Sequence, residues 1–366
     1  MIPYGRQTID EDDIQAVVSV LKGNFLTQGS AVSDFEKDLC DYTGSKFAVA
    51  VSNGTTALHL AYLAAGISVG DEIITTPNTF VATTNMMILC GAKAVFCDIR
   101  LDTYNIDEEK IEALITPKTK AIVAVDFAGQ PCEWQRLSAI AKKHNLVLID
   151  DAAHSLGASQ NGQKAGSFAD LSTLSFHPVK SITTGEGGAV LTDDETMFKK
   201  LKSLRSHGVA KNEKGFNVMT EMGFNYRITD FQCALGTSQM KKLDNFIVKR
   251  KTLVEIYKKE LSNVDGIILP TEIKGNISSW HIFVIRVKDA DKRCALHDFL
   301  KTKEIQSNFH YPCVYRHPYY RENGYAETSL PNADLYEKTQ LTIPLFPGLK
   351  ESELVEICNA IKSFFK

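Results

Sequence analysis

The chain has 366 residues, a formal net charge of −3, and 23% charged residues of both signs. That length supports a large core with a second, smaller domain, and the charge balance leaves no basic footprint for nucleic acid. No apolar run approaches a membrane span and MIPYGRQTIDEDD has no apolar export segment, so a cytoplasmic protein with no membrane partner is expected.

In chain order, DEDDIQAVVSVLKG has the apolar spacing of an amphipathic helix with acids in its first turn. NFLTQG follows as a polar turn, and FEKDLCDYTG reads as a helix closed by Gly44. Strands and helices then alternate. Strands are expected at 46–52, 72–76, 94–98, 121–126, 146–150, 171–176 and 188–191, and TTALHLAYLAAG, FVATTNMMILCG, DEEKIEALIT and WQRLSAIAKKH have helical spacing between them. Near-continuous apolar strands alternating with helices imply an α/β fold, a mostly parallel seven-stranded sheet with helices on both faces. The last connection is too short for a helical crossover, so GAVL should join antiparallel. From about residue 245 the pattern changes to a long charged helix, the strand WHIFVIRV, the helix DKRCALHDFLKTK, a short strand around Ile305–Phe309 and a terminal helix. This gives a large domain over 1–245 and a smaller α+β domain over 246–366. Eight scattered cysteines without a CxxC pair suit buried thiols rather than disulfides or a metal site.

Two stretches carry the chemistry. LSTLSFHPVKSITTGEGGAVL sets one lysine, Lys180, in a small-residue loop between two apolar strands. An arbitrary lysine there is usually a surface residue of a hairpin. Ser175, His177-Pro178 and the glycines around it instead suit a buried lysine of lowered pKa, a Schiff-base former. LVLIDDAAHSLGA ends a buried strand in two acids, at the sheet edge where open α/β sheets bind ligands. A carboxylate, a lysine and a phosphate site together would hold pyridoxal phosphate. VSNGTTALHL offers the third part, because the helix N-terminus at Gly54, Thr55 and Thr56 presents free amides to an anion. The same letters also suit an ordinary turn with an N-cap.

These segments, and nearly the whole chain, resemble the DegT/DnrJ/EryC1/StrS sugar aminotransferases, which are fold-type I pyridoxal phosphate enzymes. The resemblance implies catalytic roles for Lys180 and Asp151, the latter at the pyridine nitrogen, with Asp150 a local partner. It makes Gly54, Thr55, Thr56 and Ser175 the phosphate cup. Phe80, in TTPNTFVATTN, would stack on the ring where composition alone suggests a core aromatic. His154 would donate to the cofactor's phenolic oxygen. Asn225, in GFNYR, would reach a neighbouring chain's cofactor phosphate, implying a homodimer with shared sites; it could instead cap the following helix. Tyr4, Asn24, Phe25, Leu26, Thr27, His310, Tyr311 and Tyr315 would lie near the substrate, and Arg205 and His207 could equally be structural. AVDFAGQP, SFHPVK and ITTGEGGAV are most similar to the branch that uses L-glutamate to aminate C4 of a UDP-linked 2-acetamido-2,6-dideoxy-4-ketohexose, in pseudaminic acid synthesis. Another nucleotide-linked ketosugar (a dTDP sugar, or amination at C3) is one alternative. A non-catalytic regulator of the same fold is the other, which the intact Lys180/Asp151 pair disfavours. Dehydratases of the family carry histidine where this chain has Lys180.

Overall fold

A seven-stranded sheet organises the computed structural model, which describes residues 1–366. In chain order the strands of the first half are β1 (Phe47–Val51), β2 (Glu72–Thr75), β3 (Lys93–Phe96), β4 (Thr119–Val125), β5 (Val147–Asp151), the short β6 (Ser159–Gln160) and β7 (Gln163–Lys164), then β8 (Leu171–Ser175) and β9 (Gly188–Thr192). The large sheet runs β1-β9-β8-β5-β4-β2-β3. From β3 through β8 every pair is parallel. β9 lies antiparallel between β8 and β1, as the short β8–β9 connection requires. The sheet edge that carries Lys180 is therefore a hairpin closed on both sides.

Helices α1 (Glu11–Leu21), α2 (Ser30–Thr43), α3 (Gly54–Ala64), α4 (Ala82–Leu89), α5 (Trp134–His144), α6 (Glu195–Arg205) and α7 (Asp230–Met240) accompany this sheet. α8 (Leu243–Leu261) leads into the C-terminal part, where α9 (Lys292–Thr302) and the terminal helix Glu351–Phe364 cover a strand pair, Phe283–Val287 with Gln340–Ile343. A core cluster of 23 residues lies there and includes Ile2 from the other end of the chain. The largest cluster, of 34 residues, joins the sheet's apolar face to Ile282, Val284, Tyr315, Tyr320 and Tyr336.

Three expectations are corrected. DEEKIEALIT is not a helix but two 3₁₀ turns, Glu108–Lys110 and Glu112–Leu114. Glu108 is drawn inward between Arg100 and Arg136, which breaks the helical repeat. The Ile305–Phe309 segment is not a strand. It makes only isolated bridges, Ile305 to Ile2 in the N-terminal arm and Asn308 to Thr342. The strand Gln340–Ile343, which alternates polar and apolar residues, and the helix Pro331–Thr339 before it have no counterpart in the expected elements.

α7 crosses α2 closely because Gly236 faces Phe35; a Cβ at that position would stand 2.6 Å from the fully buried ring. Gly236→Ala should therefore destabilise the protein by about 1–3 kcal/mol through overpacking, measured as a lowered midpoint in chemical denaturation. Gly215→Ala, by contrast, would be strained only by its own backbone, since its Cβ meets nothing.

Candidate active site

At the carboxyl ends of the parallel strands a cavity of about 830 Å³ opens, lined from β5, the β8–β9 loop, the start of α3, the start of α4 and the 308–312 segment. β5 alternates faces, so its two terminal acids separate. Asp151 lines the cavity, whereas Asp150 is wholly buried away from it, one oxygen weakly bonded by Ser172 and the other unpartnered. Burial, with Asp126 and Asp151 nearby, pushes Asp150 up, favouring its protonated form.

Asp151 is held from two sides. Thr83 Oγ1 donates to Oδ2 at 2.7 Å and the Ala153 amide to Oδ1 at 3.3 Å. Thr79 lies 2.7 Å from Thr83 through the two hydroxyls and extends this chain. Burial still raises the Asp151 pKa, against the pull of Thr83, Ala153 and Lys180. A buried carboxylate in that condition lacks a cation. A protonated ring nitrogen would supply one, so the residue fits the pyridinium of pyridoxal phosphate. Lys180 enters the same cavity half-buried, and its desolvation pulls the pKa down to about 8, opposed by Asp151.

The phosphate end also fits. Asn53 caps α3 by accepting from the Thr56 amide, and the Ala57 amide donates to the Asn53 carbonyl. This leaves the Gly54 and Thr55 amides at the helix start facing the cavity beside Ser175. A Cβ on Gly54 would stand 2.9 Å from that of Ser175, and one on Gly188 would stand 2.4 Å from the Asn53 carbonyl oxygen. Only glycine permits this close approach of strand end and helix end. Thr56 does not line the cavity; its hydroxyl donates to the Asn53 carbonyl at 2.8 Å. Phe80 does line it, with 58% of its surface open, an unusual exposure that a flat ring would cover.

On the opposite wall stand Tyr4, His154, His281, His310 and Tyr311. Burial and the charge on Lys180 hold His154 and His281 well below the usual imidazole range and push His310 down to about 4. The wall is therefore neutral at physiological pH. His310 is tied to Thr342 at 2.8 Å.

The cavity thus gathers Tyr4, Gly54, Thr55, Phe80, Asp151, His154, Ser175, Lys180, His310 and Tyr311. It does not include Tyr315, which is buried against Phe96 with its hydroxyl on Asp334. Asn24, Phe25, Leu26, Thr27 and Asn225 are exposed on the surface away from its lining. Asn225 is no helix cap either, because Thr229 and Gln232 form the capping box of α7. Arg205 is structural, bonded to Glu36 and the Ala50 carbonyl. Sequence reasoning missed Asn53, Thr83 and His281. The first two sit inside motifs already singled out, at helix-capping and i+3 spacing; nothing in SSWHIF marks the third.

The chain matches the family described as the DegT/DnrJ/EryC1/StrS aminotransferase family over residues 7–362. It is 42% identical to a UDP-4-amino-4,6-dideoxy-N-acetyl-beta-L-altrosamine transaminase of Campylobacter jejuni, covering 97% of this chain and 96% of the relative. Among solved structures, Helicobacter pylori PseC, an aminotransferase of pseudaminic acid biosynthesis, superposes with a TM-score of 0.95 at 33% identity, covering 100% and 99% of the two chains. A sugar aminotransferase of Streptococcus pneumoniae, solved in its PLP form, superposes at 0.94 with 28% identity over 99% and 98%.

In cofactor-free protein, Lys180 should react with an amine-directed reagent at a rate that rises through about pH 8 and then levels. Asp151 favours the charged lysine, so Asp151→Asn should move that midpoint to lower pH. Peptide mass spectrometry across a pH series checks both; a Lys180 midpoint near that of free lysine contradicts the cavity's electrostatics.

Proposed function

Because the chain belongs to the DegT/DnrJ/EryC1/StrS aminotransferase family, we propose that it is a pyridoxal phosphate-dependent transaminase that moves the amino group of L-glutamate onto C4 of a UDP-linked 2-acetamido-2,6-dideoxy-4-ketohexose, in pseudaminic acid synthesis. The observation that carries this reading is the convergence of Lys180 and Asp151 on one cavity with a helix N-terminus at its far end. The substrate rests on the two relatives whose names specify that sugar or that pathway.

When bound, the cofactor supplies an electron sink and carries the amino group between substrates. This chain's residues do the rest. Asp151, its oxygens fixed by Thr83 and Ala153, would hold positive charge at the ring nitrogen. The Gly54 and Thr55 amides and the Ser175 hydroxyl, which line the cavity, would hold the phosphate, and Phe80 would cover one ring face. Lys180 Nζ, with its pKa near working pH, takes the proton from the donor's Cα and returns one at sugar C4 in the second half-reaction.

The reading includes a homodimer whose sites are shared, in a cytoplasmic protein; no helix is long and apolar enough to cross a membrane. No arginine lines the cavity, so a nucleotide diphosphate lacks strong cationic partners on this chain. The segment around Asn225 is built to reach outward. Val209–Lys211 pairs with Asn217–Met219 in an exposed ribbon, with Phe216 65%, Met219 68% and Met222 76% open. Phe25, at 66%, and Leu26, at 48%, are also uncovered. A second copy would bury these apolar side chains and bring Asn225 and Asn24–Thr27 to its cavity. The division of the chain into 1–245 and 246–366 belongs to the same reading, with the substrate lying between the parts.

The direct test is incubation with L-glutamate and the UDP-linked ketosugar, with the 4-amino sugar identified by mass spectrometry; a panel of dTDP ketosugars serves as comparison. Lys180→Ala should lose turnover by at least about a thousandfold while still binding the cofactor's phosphate. Asp151→Asn should slow the reaction severely, and Asp150→Asn far less, because Asp150 lies away from the cavity and burial already favours its protonated form. The reverse order would contradict the placement of β5. Mixed dimers re-formed from inactive Lys180→Ala and inactive Asn225→Ala chains should recover part of the wild-type activity. No recovery with heterodimers present would refute sharing through Asn225.

A further inference from the structure

A second, much smaller cavity shares Lys180 with the large one. It measures about 10 Å³ and is walled by the N-terminal arm, the 178–183 stretch of the β8–β9 loop, the last turn of α7 and the first half of α8. Three cations, Arg6, Lys180 and Arg250, line it, and no carboxylate does. The acids of the adjoining arm, Asp10 and Asp13, are engaged by Lys242 instead.

Two buried donors at this cavity have no partner in the protein. Arg250 is 2% exposed; one terminal nitrogen donates to three carbonyls, and its Nε–H is left over. Ser181, 6% exposed, has a hydroxyl in the same condition. A guanidinium nitrogen can only donate, and a serine hydroxyl can donate as well. Leaving both unmet would cost more than a typical hydrogen bond contributes. The three carbonyls bring dipoles to Arg250 but no negative charge. The missing guest is therefore an acceptor that is also a counter-charge. Size narrows it further, because about 10 Å³ admits one water-sized guest and excludes a phosphate or an amino acid. Water would meet the donors and leave three cations uncompensated, whereas a halide answers both needs.

We propose that this cavity binds one small monovalent anion, of the size and charge of chloride, held by the Arg250 Nε–H and the Ser181 hydroxyl and lying against Lys180. Negative charge there favours the ammonium of Lys180, in the same sense as Asp151 does from the large cavity. The other groups around the lysine are His154, His281 and His310 on the cavity wall, His177 and Glu186 in its own loop, and the two arginines. All four histidines are held below the usual imidazole range, so they add no charge at neutral pH. The anion would thus set how much of the lysine is free amine. The site is a property of the chain and does not rest on the transaminase reading.

Bromide serves as the probe. Crystals of the full-length protein soaked in sodium bromide should show an anomalous peak between Arg250 Nε and Ser181 Oγ. In solution, cofactor-free protein is titrated with sodium bromide against sodium gluconate at constant ionic strength. The pH midpoint of Lys180 reactivity should rise with bromide and saturate. Ser181→Ala removes one donor, so the bromide concentration at half-effect should rise about threefold to tenfold. Arg250→Gln should abolish the effect; where that variant fails to fold, Ser181→Ala carries the test. Absence of the peak overturns the proposal. So does a peak without a saturating shift in solution, which is binding at crystal concentration only, or a shift that Ser181→Ala leaves unchanged. Failure of pyridoxal phosphate to bind would refute the proposed function and leave these results standing.

Discussion

Asp151 and Lys180 share a cavity without forming an ion pair, and the architecture around them keeps it so. Each pays the cost of leaving water, and their attraction across the cavity offsets only part of it. Asp151 rests on Thr83 of α4 and on the Ala153 amide just past the end of β5. Lys180 is pinned in a hairpin whose second strand is hydrogen-bonded on both edges. The space beside Asp151 is what a planar cationic ring would fill, and filling it would supply the positive charge that this carboxylate lacks.

Polar interactions join the C-terminal part to the sheet behind that space. Arg250, only 2% exposed, donates through one nitrogen to the carbonyls of Trp280, His281 and Leu345. The His281 amide returns to the Ala128 carbonyl and the Ser279 amide to that of Gly129. With no carboxylate beside it, Arg250 has its pKa drawn down to about 10 by burial. Such a cation tolerates little movement, because each lost carbonyl would leave it less solvated. The histidine wall is therefore fixed relative to β4 and β5.

The sheet was legible because its strands are buried on both faces and read as unbroken apolar runs. The residues that line the cavity were legible because most fall at strand and helix ends, where few alternatives compete. What failed depended on partners distant in sequence. Glu108 reads as a helix-face acid until Arg100 and Arg136 are seen to draw it inward. Tyr315 looks like Tyr311 in sequence, yet Asp334 and Phe96 claim it for the core. His281 carries no local signal, and its place on the wall comes from backbone bonds to a turn far upstream. Asn225 and Asn24–Thr27 lie on the surface of one chain, away from the cavity lining, and nothing within their own stretches says so.

The pairing of β1 bears on how the chain reaches this state. The only neighbour of β1 in the sheet is β9, and the register sets Phe47 against Thr192. During synthesis the apolar segment FAVAV must wait until β9 has emerged, while β2 to β5 can already assemble on one another. The start of α3 hangs directly from β1 and abuts Gly188 and Ser175. The anion cradle is thus among the last features of the large sheet to form. A nascent chain stalled before residue 188 would hold β4 against β5 and still lack the strand on which the start of α3 rests.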